Sequence, residues 1–430
     1  PQSRTILSVI SLVSYVLTKV AVTVYAGGLV FQQVFGIKEL WGIDFFWIAA
    51  IGLVVLTALY TIFGGMKSVL YTSVLQTPIL LLGSLIILVL GFKELGGWDE
   101  MMRVCGAVTV NDYGDTMTNL IRSNDDANFP WLGALIGSAI IGFWYWCTDQ
   151  FIVQRVLSGK NEKEARRGTI FGAYLKLLPV FLFLIPGMIA FALHQKYIGA
   201  GGEGFLPMLA NGTANADAAF PTLVAKLLPA GVKGLVVCGI LAALMSSLAS
   251  LFNSSAMLFT IDFYKRFRPE TPEKKLVGIG QIATVVIVIL GILWIPIMRS
   301  VGDVLYTYLQ DVQSVLAPGI AAAFLLGICW KRTSAQGGMW GLIAGMIIGL
   351  TRLGAKVYYS NAGEVADSTF KYLFYDMNWL FFCGWMFLFC IIVVIVVSLA
   401  TEAPTAEKIQ GLVFGTATKE QKAATRASWD

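Results

Sequence analysis

Long apolar runs recur along this chain, each about 20 residues or more, separated by shorter polar stretches rich in Gly, Asn, Asp and basic residues. A helix needs roughly 20 residues to cross about 30 Å of hydrocarbon. On that measure the runs predict ten crossings, near 6–33, 44–64, 68–92, 131–152, 168–194, 233–260, 277–298, 304–328, 337–355 and 377–399. Outer-membrane strands would alternate polar and apolar residues over about ten positions, and these runs do not. Helices remain, because a backbone in hydrocarbon must satisfy its own hydrogen bonds. The pattern therefore predicts an all-α polytopic membrane protein, with residues 1–430 forming a single transmembrane domain.

Composition agrees. With 57% hydrophobic and 13% charged residues the chain is too apolar for a soluble domain of its length. The net charge of +5 matters less than where the charge lies. Arg155, Lys160, Lys163, Arg166 and Arg167 crowd one loop; Lys265, Arg266, Arg268, Lys274 and Lys275 crowd another two crossings later; Lys331 and Arg332 follow after two more. Basic residues collect in short cytoplasmic loops, so both chain ends are expected in the cytoplasm, with VNDYGDTMTNLIRSNDDANFP and GAGGEGFLPMLANGTANADAAF as external connections. Asn211-Gly-Thr matches a glycosylation acceptor, a triplet common by chance. The six Cys are scattered without a CxxC pair, mostly inside crossings, where they act as small apolar residues. The chain starts at Pro without a signal-peptide pattern and ends in a polar amphiphilic tail, so both ends read as cuts in a longer protein. No nucleic-acid partner is expected.

Candidate chemistry lies in the polar residues inside the crossings. An ionisable group near mid-bilayer costs at least about 2.5 kcal/mol on insertion scales, so each asks for a partner, a cavity or a function. Lys19, in SYVLTKVAVTVYAGG, can snorkel to an interface. For Lys176, in FGAYLKLLPVFLFLIPG, a cavity is favoured, because Pro179, Pro186 and Gly187 mark an irregular helix. In GILAALMSSLASLFNSSAMLF, Ser246, Ser247, Ser250 and Ser254 stand three, four, seven and eleven residues after Ala243, along one helical face. Such a stripe serves helix packing or supplies oxygen ligands to a sodium ion; the pattern leaves both open. The run VGDVLYTYLQDVQSVLAPGIAAAF carries Asp303, Gln310, Asp311, Gln313 and Pro318 and reads as an interrupted helix lining a solute path, with Gln310 beside Asp311 at a cavity. GFWYWCTDQFIVQR sets three aromatics beside Thr148 and Asp149. An interfacial aromatic belt is the ordinary explanation, but a hydroxyl and a carboxylate among the rings fit it poorly. An enzyme would need a nucleophile or metal constellation, and the lone His194 near a span end supplies neither.

Taken in order, YTIFGGMKSVLYTSVLQT, GFWYWCTDQFIVQR, GAYLKLLP, LAALMSSLASLFNSSAMLFTIDFY and YLQDVQSVLAPGIAAAFLLGICWKR resemble the sodium:solute symporter family, specifically its sodium/glucose and galactose branch. The resemblance implies the five-plus-five inverted-repeat fold shared with the bacterial leucine transporter. It further implies that the chain lacks N-terminal helices and the last C-terminal helix of the full protein. The implied function is sodium-coupled symport of a glucose- or galactose-like hexose into the cell, in a cell membrane of bacterial inner-membrane type. Another solute on the same scaffold, such as myo-inositol, a carboxylate or an amino acid, is the alternative. Tyr145 matches the aromatic that closes over the sugar, Trp146 its neighbour in the pocket, and Lys176 and Gln310 two hydrogen-bonding groups. Pyranose rings stack flat C–H faces on aromatics while their hydroxyls need a few placed polar groups, so these four side chains are expected to converge on one cavity. Ala243, Ser246 and Ser247 match a sodium site made of one carbonyl and two hydroxyls. Two positions depart from the family's pattern: Gly142 replaces a side chain that faces the sugar, and Ser73 replaces an aspartate linked to a second sodium position.

Overall fold

A computed structural model describes residues 2–209, 212–301, 304–362 and 366–429; Asn211 and Asp303 lie outside the described residues. Among the described residues nine helices are long and apolar enough to cross a membrane, and Phe45–Leu59 is a shorter apolar helical stretch. They fall on the ten predicted runs with one difference. The breaks expected between 44–64 and 68–92 are absent, and Phe45–Leu95 is a single helix of 51 residues. At 1.5 Å per residue it is about 76 Å long, more than two crossings. Gly64-Gly65 marks the expected break in the sequence, yet each glycine costs only about 1 kcal/mol against alanine inside a helix, which does not stop one this long.

The chain forms two compact units. The first comprises Pro1–Thr18, Asn124–Ile170 and Ser254–Asp430. Its core gathers Ile10, Ile140, Trp144, Ala317, Ile320, Leu342, Leu380 and Cys383 from five helices. Helices Leu305–Cys329 and Ala335–Asn361 run against each other along a glycine seam. A Cβ on Gly345 would lie 2.8 Å from the Gly319 Cα, and one on Gly349 would strike the Val315 carbonyl. Association inside a membrane has no hydrophobic drive, so close backbone approach through small residues takes its place. The Trp379–Ala400 helix is capped by Asn378, whose side chain accepts from the Leu380 amide. It exposes Trp385, Leu388, Ile392, Val396 and Leu399 at helical spacing, the stripe a lipid-facing helix needs.

The second unit comprises Lys19–Ser123 and Phe171–Asn253. Its core includes Ile87, Leu95, Met101, Ile189, Leu193, Leu223 and Val236. A two-residue hairpin joins Glu39–Leu40 to Ile43–Asp44, with Trp41 and Gly42 both at positive φ as such a turn requires.

Several crossings depart from the regular helix that apolar patterning suggests. Five-residue hydrogen-bond spacing occurs at Tyr15–Val20, Trp144–Thr148, Val180–Leu184 and Leu258–Tyr264. The irregular helix expected around Lys176 is present: Glu162–Leu175 gives way to a turn at 176–177 before the Val180–Leu184 segment. Pro179 explains it, since its ring displaces the carbonyl four residues back and it donates no amide hydrogen. The Gln310 run corrects its expectation. Leu305–Cys329 is an unbroken α-helix with Pro318 in its interior, and the polar residues there are accommodated by side-chain pairing instead of unwinding.

Candidate functional site

In the first unit the helix Trp131–Phe143 widens into the turn Trp144–Thr148 and then stops. Asp149 leaves the helix with ψ 120° and caps Gln150–Leu157, its Oδ1 accepting from the Phe151 amide at 3.1 Å. The same oxygen accepts from the Tyr15 hydroxyl at 2.9 Å. The carboxylate among the aromatics is thus a buried cap that ties this break to the first helix. Trp144 is buried, Tyr145 is half-buried and Trp146 is 50% exposed. Their rings meet edge to face at 6.1 and 5.2 Å, so the turn presents successive aromatics in different directions.

The Gln310 helix packs on this turn. Trp144 shares a core cluster with Ala317, Ile320 and Ala321, and Tyr145 packs against that cluster. Gln310 is half-buried, and its Nε2 donates to the Tyr306 hydroxyl at 2.9 Å. Half a turn away, Tyr308 donates to the Leu17 carbonyl at 2.9 Å and accepts from Trp294 Nε1 at 2.6 Å. The structure therefore brings Tyr145, Trp146 and Gln310 onto two packed elements of one unit.

Beside Gln310 lies a charged cluster that the sequence reading passed over. Asp311 Oδ2 pairs with Lys356, and Asp311 Oδ1 stands 3.8 Å from Arg352 Nη2. Arg352 is fully buried, donates to the Leu373 and Met377 carbonyls at 3.3 and 2.6 Å, and stacks over Phe382 at 4.1 Å. The signal was present: GLTRLGAKVYY puts a guanidinium inside an apolar run, where it demands a partner.

The remaining candidates lie in the second unit. Ser246 is buried and Ser247 and Ala243 half-buried on the helix Ala230–Met257. That helix runs antiparallel to Phe45–Leu95 along small residues: Gly83 against Val236, Gly239 against Ile79, then Ser73 against Ser246. The Ser73 and Ser246 hydroxyls share a hydrogen bond of 2.6 Å. The packing role expected of the serine stripe is present, and the seam also brings two hydroxyl oxygens together. Lys176 sits at the turn in its broken helix and is exposed, whereas Lys19 is buried.

The model of the sodium:solute symporter family matches residues 2–345. The chain belongs to that family. The family member is 35% identical over 422 residues to the sodium/myo-inositol cotransporter 2 of Homo sapiens, covering 96% of this chain and 62% of the relative. It is 37% identical over 424 residues to the sodium/mannose cotransporter SLC5A10 of Bos taurus, covering 96% and 70%. It is 37% identical over 412 residues to the sodium/glucose cotransporter 1 of Ovis aries, covering 92% and 61%. The chain thus spans about 62% of the length of the myo-inositol relative. A solved substrate-bound, outward-open Na+-coupled sialic acid symporter matches with a TM-score of 0.67 at 21% identity, over 93% of this chain and 76% of that one. The likeness shows the fold, the leucine-transporter-like class of inverted repeats. This symporter-family member is a multi-pass membrane protein whose relatives are cotransporters, not enzymes.

Proposed function

We propose that this chain is the substrate-handling part of a symporter that couples sodium entry to uptake of a hexose by alternating access. The observation that carries the reading is the packing of the Gln310 helix on the Trp144–Thr148 turn, which puts an amide and a run of aromatics on two packed elements of one unit. That pairing suits a neutral ring bearing hydroxyls. Tyr145 and Trp146 would take the ring faces, and Gln310 would bond hydroxyls. Ala243, Ser246 and Ser247 would carry sodium, as one carbonyl and two hydroxyls on a packed helix can do without a formal charge. Sodium here is cargo and driving force: one charge moved through 100 mV is worth about 2.3 kcal/mol, or roughly fifty-fold accumulation of the solute. The reading places the protein in a cell membrane with both chain ends cytoplasmic.

A cyclic polyol is the second reading, favoured by the 35% identity to the human sodium/myo-inositol cotransporter 2. Uptake of labelled glucose, galactose, mannose, myo-inositol and alanine by the full-length protein in proteoliposomes, with and without a sodium gradient, tests both. Sodium-dependent uptake of a hexose supports the first reading, and uptake of myo-inositol without hexose replaces it with the second. Uptake of alanine alone sinks both.

A further inference from the structure

We infer that Asp311, Lys356 and Arg352 form a positioning device that holds Gln310 in register for its ligand, an inference that rests on the reading of Gln310 as a solute contact. The two helices that carry the cluster are antiparallel and meet at a fixed stagger: Gly319 lies against Gly345, and Val315 against Gly349. One turn further along the same seam, Asp311 meets Arg352 and Lys356. The ion cluster therefore closes a glycine-packed seam at the turn that presents Gln310, whose side chain leaves the helix about 100° from that of Asp311.

Burying two charges and half-burying a third is not the economical way to stabilise such a seam. A buried ion pair is frequently matched or bettered by apolar residues of similar volume, and what charges add is one specific geometry. The geometry here is uneven. Arg352 is held from three sides by the Leu373 and Met377 carbonyls and the Phe382 ring. Asp311 makes one close pairing, with Lys356, while its Oδ1 is buried without a hydrogen-bond partner, 3.8 Å from Arg352. That separation is too long for a direct hydrogen bond. Arg352 Nε is likewise unpartnered. Lys356 thus pulls the carboxylate off the immobile guanidinium. Without Lys356 the carboxylate would close on Arg352 and turn the adjoining residue, Gln310, with it.

The test uses the full-length protein in proteoliposomes and whichever labelled solute of the panel above the wild type accumulates. The double variant Asp311→Asn/Lys356→Met removes both charges of the pair and leaves Arg352 on its two carbonyls and the Phe382 ring. It is expected to raise KM for the solute about tenfold, the loss of one hydrogen bond, with maximal rate and half-saturating sodium unchanged. Lys356→Arg, which retains the pairing charge, is expected to keep KM within about twofold of wild type. Adding Gln310→Ala to the double variant is expected to raise KM no further, because both changes remove the same contact. A double variant with wild-type KM overturns the inference, as does an additive effect of Gln310→Ala. If Gln310→Ala leaves KM unchanged in the wild-type background, the reading of Gln310 itself fails, and the inference falls with it. A tenfold effect of Gln310→Ala beside an inert double variant removes the positioning role and leaves that reading standing.

Discussion

In the proposed site Gln310 would supply what aromatic faces lack, a directional group that distinguishes a hydroxylated ring from an apolar one. Gln310→Ala is expected to cost about 1–2 kcal/mol of solute affinity, near tenfold, and the check is the solute KM at saturating sodium. Ser247→Ala makes the complementary prediction. Ser247 follows the Ser246 hydroxyl that Ser73 holds, so its loss should raise half-saturating sodium severalfold while leaving solute KM at saturating sodium nearly unchanged. An equal shift in both would mark a packing defect instead of a lost cation ligand. Both expected roles rest on the resemblance of long motifs to the family. The residues themselves left the serine stripe undecided; they favoured a cavity for Lys176 and allowed Lys19 to snorkel, whereas Lys19 is the one that is buried. Burial of a lone lysine depends on what neighbouring helices bring to it, and hydropathy along one strand of sequence carries no such information. Arg352 was overlooked for the same reason, its carbonyl partners lying 21 and 25 residues away.

At the scale of elements, crossings were readable because a bilayer imposes a length and an apolarity that no other environment does. Their interiors were not. The wide turns at Tyr15–Val20 and Trp144–Thr148 insert one residue into a helical ladder without changing hydropathy, so no periodicity reports them. Only prolines announce themselves, as Pro179 does for the break at Lys176. The glycine seam gives the prediction that belongs here. Gly345→Leu places a side chain where a Cβ would already lie 2.8 Å from the backbone of Gly319, whereas Gly354, on the same helix, has nothing within 4 Å of its Cβ position. Overpacking costs typically 1–3 kcal/mol or more, so Gly345→Leu should lower the melting temperature of the detergent-purified protein by several degrees. Gly354→Ala should hold or raise it, since alanine improves an exposed helical site by up to about 1 kcal/mol. Equal losses from both would mean that the seam does not set the helix approach.

For the molecule as a whole, the decisive quantity is how many sodium ions accompany each solute. Ser73 stands where the resemblance to the family leads one to expect an aspartate, and its hydroxyl is bonded to that of Ser246. A hydroxyl pair can ligate one cation, but it brings no negative charge to offset the desolvation of a second, which a carboxylate would. The expected ratio is therefore one sodium per solute. The consequence is large: at 100 mV the electrical contribution supports roughly fifty-fold accumulation with one ion and roughly two-thousand-fold with two. Reversal potentials measured on proteoliposomes holding the full-length protein, across a set of opposing sodium and solute gradients, read the ratio directly. Ser73→Asp restores a carboxylate beside Ser246 and is expected to move the reversal potential toward the two-ion line. A wild-type ratio of two would show that other groups compensate the second ion, and Ser73→Asp would then leave the potential where it was.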